Sequence, residues 1–213
     1  MLTSIYSHLS ENAKLDTERL DIPVLGFDKN LWAKLQENSR ENLTLVEQMN
    51  KQVSKYMLMH YFVTLEQEFL HNFIKPFQLK YKNEIKTFKV YSSYWETTHK
   101  LLCGTTHFSL GAVYYLGKCF WDKKNASMES EAINSFINFM DNKEQFTQIC
   151  DDIANKIICG LKLKDIRNGL AHGDHSISNT IGQSAFDDLR NFLFIKPGEI
   201  LKRILIYSMI DKI

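Results

Sequence analysis

The chain has 213 residues, 44% hydrophobic and 24% charged, the profile of one globular domain with a buried core rather than a disordered chain. Its formal charge of +1 gives no overall pull toward nucleic acid, so any polyanion binding must come from a local patch. Three prolines and nine glycines are too few for a sandwich of many short strands.

In chain order, residues 1–27 form a lead-in segment, with Pro23 and Gly26 marking a turn, and Asp28 caps a helix around Leu31–Leu35. From about Glu41, the residues Leu43, Val46, Met49, Val53, Met57, Tyr61, Leu65 and Phe69 recur three or four apart, which predicts a long amphipathic helix. It is expected to end at Ile74, because Pro76 disfavours helical geometry for Lys75, and to kink or break near Asn50–Ser54. Ser93-Tyr94-Trp95-Glu96 has the form of a capping box and opens another helix, which Gly104 ends or bends. Thr105 or Thr106 then caps a largely apolar helix, His107–Trp121, expected in the core. Asp122 to Ser127 reads as a polar loop, followed by a helix from about Glu129 to Met140.

Phe146, Ile149, Ile153, Ile157, Leu161 and Ile166 keep roughly to one face, so a second long amphipathic segment leads up to Arg167 and stops at Gly173. A short helix near Ala185–Phe194 and a last one after Pro197-Gly198 complete an all-α chain. There is no internal repeat and no second domain, so residues 1–213 form a single domain.

The four cysteines, Cys103, Cys119, Cys150 and Cys159, lack any C-x-x-C pair and have apolar neighbours, as buried free thiols do. With no signal-peptide pattern and no apolar run of membrane-spanning length, the chain reads as a reduced, cytoplasmic protein. Lys75, Lys80, Lys82, Lys86 and Lys89, interleaved with Phe77, Tyr81 and Phe88, form the densest basic run. It is either a solvated helix end or a strip that steers a polyanion. His99, Cys103 and His107 have the i, i+4, i+8 spacing of metal ligands, but Gly104 interrupts their helix and favours packing roles.

The stretch that carries chemistry is Asp165-Ile166-Arg167-Asn168-Gly169-Leu170-Ala171-His172-Gly173-Asp174. Arg167 is a permanent cation whose planar fork suits a phosphate. His172, five residues on, moves protons near neutral pH. Together they can hold a phosphodiester and act on it without a metal. On a regular helix the two side chains point roughly 140° apart. They meet only if the helix ends or distorts near Gly169 and Gly173, or if a two-fold partner supplies the complementary pair. A purely structural account is an arginine favoured by the helix C-terminal dipole and a histidine in a C-cap.

An arginine, a polar residue beside it and a histidine after four intervening residues resembles the signature of the HEPN superfamily, many of whose members are dimeric, metal-independent RNases. The likeness is strongest over Glu144–Met209 and weaker at Tyr61–Ile74 and Phe108-Ser109-Leu110-Gly111. It implies a HEPN-like helical bundle, RNA as substrate, a homodimer, no metal or cofactor, and a toxin–antitoxin or antiphage setting with an antitoxin or other regulatory partner. It implies that Arg167 contacts the scissile phosphate, that His172 is general base on the 2′-hydroxyl or general acid on the leaving oxygen, and that Asn168 orients. Glu66 either pairs with Arg167 from a neighbouring helix or is a plain surface carboxylate. Asp165, Asp174 and His175 stand as supporting positions, and Lys164 joins Lys75, Lys80, Lys82 and Lys86 as weak RNA contacts. Gly173-Asp174-His175 stands where one toxin–antitoxin branch carries a tyrosine, so the resemblance does not extend to that branch's regulatory modification. The rivals to a nuclease are a catalytically silent module that docks on a protein, nucleotide or RNA, and a helical scaffold.

Overall fold

A computed structural model describes residues 20–48, 55–174, 176–177, 183–195 and 199–210. The helices are α1 (Lys29–Lys34), α2 (Glu37–Gln48), α3 (Lys55–Phe69), α4 (Lys75–Lys80), α5 (Glu96–Leu102), α6 (Leu110–Trp121), α7 (Lys123–Glu129), α8 (Glu131–Phe139), α9 (Lys143–Asn155), α10 (Leu163–His172), α11 (Gln183–Phe194) and α12 (Ile200–Ile210). The fold is an all-α bundle. Its only regular strands among the described residues are β1 (Ile157–Ile158) and β2 (Leu161–Lys162). Among those residues no helix is long and apolar enough to cross a membrane.

Helix α3 is the axis of the bundle: α2, α10, α11 and α12 all pack on it, while α6 and α9 lie face to face beside it. Leu58, Tyr61, Phe62, Leu65 and Phe69 of α3 are buried, so the stripe of three-and-four spacing becomes the core face. Phe69, Phe73 and Phe146 form an aromatic cluster with ring centroids 4.8–6.0 Å apart. Burying each such ring contributes about 1.5–3 kcal/mol.

Local chemistry sets several boundaries as the sequence indicates. Asp28 Oδ1 accepts the Leu31 N–H at 2.8 Å and caps α1. Leu25 and Gly26 take positive φ in the turn after Pro23, Gly104 closes the turn after α5 at φ +75°, and Gly173 stops α10 at φ +72°. The expected break near Asn50–Ser54, and Pro197-Gly198, lie outside the described residues.

Other boundaries differ. The long helix does not stop before Pro76. A wide π-helical turn, Leu70–Ile74, intervenes, the Lys75 N–H reaches back to the Leu70 carbonyl, and Lys75 stays helical at φ −60° and ψ −41°. The extra residue in that turn relieves the clash of the proline ring with the carbonyl one turn earlier. Ser92, not Ser93, caps the entry to α5, through a 3₁₀ turn, Ser93–Trp95. Helix α6 starts at Leu110, not His107, because its first N–H is capped from α3 by Glu66 rather than by a threonine. Residues 122–127 are not a loop: Asp122 Oδ1 accepts from Asn125 at 2.8 Å and α7 forms directly after α6.

The segment before the motif is not one helix. Between α9 and α10 the chain makes a β-hairpin in which Ile157 faces Lys162 and Ile158 faces Leu161. Its two loop residues, Cys159 and Gly160, both take positive φ, at +50° and +79°, as a tight hairpin turn requires. Ile158 is buried while Ile157 is 57% exposed, so the apolar spacing that suggested continuity was partly coincidental. The hairpin gives α10 a fresh start and sets its rotation about its own axis independently of α9.

Candidate functional site

Helix α10 buries Leu163, Ile166 and Gly169 and exposes Lys164, Asp165, Asn168 and His172. Gly169 is there for close approach: a Cβ would lie 2.2 Å from Ile177 Cδ1 and 3.0 Å from Ile177 Cβ. Past it, the Asp174 N–H closes back onto the Gly169 carbonyl at 2.8 Å, a Schellman-type end that keeps α10 regular through His172. The helix is therefore neither ended nor bent between Arg167 and His172. Within one chain their side chains diverge by roughly 140°.

Arg167 sits at one border of the exposed face, beside Leu163 and Leu170. It turns inward to Glu66 of α3, so of the two readings of Glu66 the ion pair is the one realised. Arg167 Nη2 donates to Glu66 Oε2 at 3.1 Å, and Nε lies 3.0 Å from Oε1, off the axis of a hydrogen bond. The Arg167 side chain is 24% exposed and that of Glu66 12%. Glu66 Oε1 also accepts the Leu110 N–H at 3.1 Å. One carboxylate thus joins α3, α6 and α10, and its charge sits favourably at the N-terminus of α6. About a quarter of the Arg167 side chain, 24%, stays in solvent, so the ion pair does not seal it from an approaching anion.

His172 and Asn168 are exposed and neither makes a side-chain hydrogen bond among the described residues. They lie four residues apart on the same face, so Asn168 stands between Arg167 and His172 around the helix. Asp165 is exposed, with Lys164 Nζ 4.0 Å from its Oδ1. Asp174 Oδ1 accepts from the Ser176 N–H at 2.9 Å and from the Ser176 hydroxyl at 2.7 Å. His175 lies outside the described residues.

Lys75, Lys80, Lys82, Lys86 and Lys89 are all exposed, but they follow the far end of α3. Lys75 and Lys80 lie roughly 13–21 Å along the helical axis from Glu66, so this strip is not part of the immediate site. Lys80 Nζ also stands 5.3 Å from the centre of the Phe139 ring. Lys164, by contrast, lies one turn from Arg167. His99 is a packing residue: its Nδ1 is 3.0 Å from Ser130 Oγ, the hydroxyl that caps α8, and its Nε2 is 3.6 Å from Cys103 Sγ. Burial lowers the His99 pKa below its usual range. His107 stands exposed beyond the Gly104 turn.

Three features escape sequence reading. One is the capping of α6 by Glu66 across 44 residues. The second is a similar clamp, in which Arg190 Nη2 and Nε hold Glu47 at 2.6–3.2 Å and Tyr61 donates to Glu47 at 2.5 Å. The third is that α6, expected in the core, leaves Tyr114 and Tyr115 in solvent at 40% and 41% exposure. Acids spaced as Glu47 and Glu66 are, at the edge of an apolar stripe, are the only sequence hint for the clamps.

Comparison with protein-family models, curated proteins and solved structures finds no match to this chain.

Proposed function

We propose that the chain is a HEPN-type, metal-independent endoribonuclease that works as a homodimer in the cytoplasm, as a toxin or antiphage effector held in check by an antitoxin or other regulatory protein. The observation that carries this reading is the clamped arginine. Glu66 fixes Arg167 at the edge of a helix face whose exposed positions hold Asn168 and His172, with 24% of the Arg167 side chain left in solvent. A preset cation and an exposed imidazole are the minimum equipment for phosphodiester transesterification.

Because the two side chains diverge on one helix, the reaction needs α10 of a second copy facing the first. Arg167 of one copy and His172 of the other then flank a single phosphate. One imidazole takes the proton of the 2′-hydroxyl as its oxygen attacks phosphorus. The bond to the 5′-oxygen breaks, and solvent water protonates that oxygen while the imidazolium returns its proton to solvent. The products are a 2′,3′-cyclic phosphate and a 5′-hydroxyl. Arg167 offsets the charge that builds on the phosphoryl oxygens, and Asn168 orients the ribose or the imidazole. DNA, lacking the internal nucleophile, is not cut.

The test is incubation of labelled RNA with excess EDTA, comparing wild type with Arg167→Ala and His172→Ala. Cleavage by wild type that both substitutions abolish, with circular dichroism unchanged, supports the reading. RNA left intact by wild type sinks it. A second reading, a silent HEPN-like module, draws on the same geometry: the divergence of Arg167 from His172, and a guanidinium already neutralised by Glu66. RNA binding without cleavage distinguishes it.

A further inference from the structure

Outside the motif, the feature that points most clearly to a ligand is a cleft of about 160 Å³ bounded by Leu110, Tyr114 and Tyr115 of α6, Ile153 of α9, and Lys162 and Lys164 at the start of α10. We propose that this cleft is a subsite for an unpaired base of the RNA strand, which stacks on Tyr114 or Tyr115 while Lys162 and Lys164 hold the flanking phosphates. This extends the nuclease reading and rests on it for the identity of the strand.

Four observations converge. First, the volume is close to that of a cavity of roughly 150 Å³ that accepts one benzene-sized ring, so a single planar ring system fits and a duplex does not. Second, the aromatic wall faces water. Tyr114 and Tyr115 meet edge to face at 5.2 Å and 81°, and they belong to an exposed row that continues to Trp121 on one side and to Tyr94 on the other. Such a row offers several π faces to successive bases. Third, the rim is cationic. Lys162 has no acidic partner among the described residues, Lys164 only the 4.0 Å approach of Asp165, and Lys118 extends the same charge beside Tyr94, donating to its hydroxyl at 2.6 Å. Fourth, the cleft adjoins the candidate active site. Leu110, in its wall, donates its N–H to the carboxylate that clamps Arg167, and Lys164 is one turn from Arg167 and Asn168. A strand anchored there runs directly onto the exposed face of α10.

The experiment measures anisotropy of fluorescein-labelled 12-mer oligo(U) and oligo(A), single-stranded and annealed, on the full chain carrying His172→Ala to prevent turnover. Tyr115→Ala and Tyr114→Ala should each weaken single-strand binding roughly tenfold, within the range seen when one stacking ring is removed. Tyr115→Phe should retain binding. Gly111 also lines the cleft, and Gly111→Leu should block it without touching a ring, since a Cβ there meets only Ser109 Oγ, at 3.7 Å. The annealed duplex should bind more weakly than either single strand. A 2-aminopurine in the strand should lose fluorescence on binding and regain it in the tyrosine variants. Unchanged affinity in Tyr114→Ala, Tyr115→Ala and Gly111→Leu overturns the subsite, as does a shift of these variants from dimer to monomer with RNA binding intact. Tyrosine-dependent binding in a protein whose wild type cuts no RNA upholds the subsite and removes the nuclease reading. Wild-type cleavage with tyrosine-independent affinity does the reverse.

Discussion

Replacing Glu66 by glutamine isolates the electrostatics of the clamp, because the amide keeps the shape and removes the charge. Glu66 Oε1 serves the Leu110 N–H and lies against Arg167 Nε, while Oε2 accepts from Nη2. Glutamine has one oxygen. If it faces Leu110, its NH₂ confronts Nη2 donor to donor; if flipped, the NH₂ confronts the Leu110 N–H. One charge-assisted hydrogen bond is lost either way, worth about 1.5–3 kcal/mol. Removing one partner of a fully buried pair costs about 3–5 kcal/mol, and an exposed pair contributes about 0–1 kcal/mol. With side chains 12% and 24% exposed, this pair falls between the two, at about 2 kcal/mol. For a chain of this size that corresponds to a fall in Tm of roughly 4–8 °C, read by circular dichroism at pH 7. A double-mutant cycle with Arg167→Met should return a coupling of about 1–2 kcal/mol. A Tm unchanged by Glu66→Gln together with no measurable coupling refutes the clamp.

Glu68 is fully buried, its Oε1 accepting from the Gln36 N–H at 2.8 Å and its Oε2 from Asn72 at 3.1 Å, and burial pushes its carboxyl above the ordinary 4.5. A raised folded pKa means the stabilisation is complete below about 4.5 and is lost as pH climbs through the folded value. Glu68→Gln should therefore gain in Tm over wild type between pH 4 and pH 7, and a gap that narrows over that span contradicts the sign. Cys159, at φ +50° in the hairpin turn, should be better served by asparagine. Cys159→Asn is expected to raise Tm by roughly 2 °C, for a gain of about 0.5–1 kcal/mol. In the RNA assay, Arg167→Ala and His172→Ala should each lower kcat by about 10²–10⁴-fold, and a loss below tenfold places the chemistry elsewhere.

Where a boundary depends on neighbours in the chain, it was legible in advance: the Asp28 cap, the Gly104 and Gly173 stops, and the stripe positions Leu43, Val46, Tyr61, Leu65 and Phe69 that α2 and α3 bury. The misread places share one physical cause, a distant or compensating interaction that overrides a local rule. Pro76 breaks helices only where no widened turn absorbs its ring, and the Leu70–Ile74 turn does so here. Helix α6 takes its cap from Glu66, so the local threonines were misleading. Ile153, Ile157 and Leu161 keep helical spacing across a hairpin whose only local sign was the Cys159-Gly160 pair. For the candidate site, the sequence could propose residues but not their orientation. The sequence offered Glu66 as a partner for Arg167, and the ion pair forms, but the regularity of α10 depends on the packing of Gly169 against Ile177 and on the turn at Gly173.

Mixing separately purified Arg167→Ala and His172→Ala proteins tests the two-chain site most directly. In a dimer that draws its arginine from one copy and its histidine from the other, each mixed dimer rebuilds one intact constellation. Random exchange should then restore cleavage to about a quarter of the wild-type rate. A mixture as inert as its two parents, beside an active wild type, contradicts the claim that two copies of α10 share one phosphate.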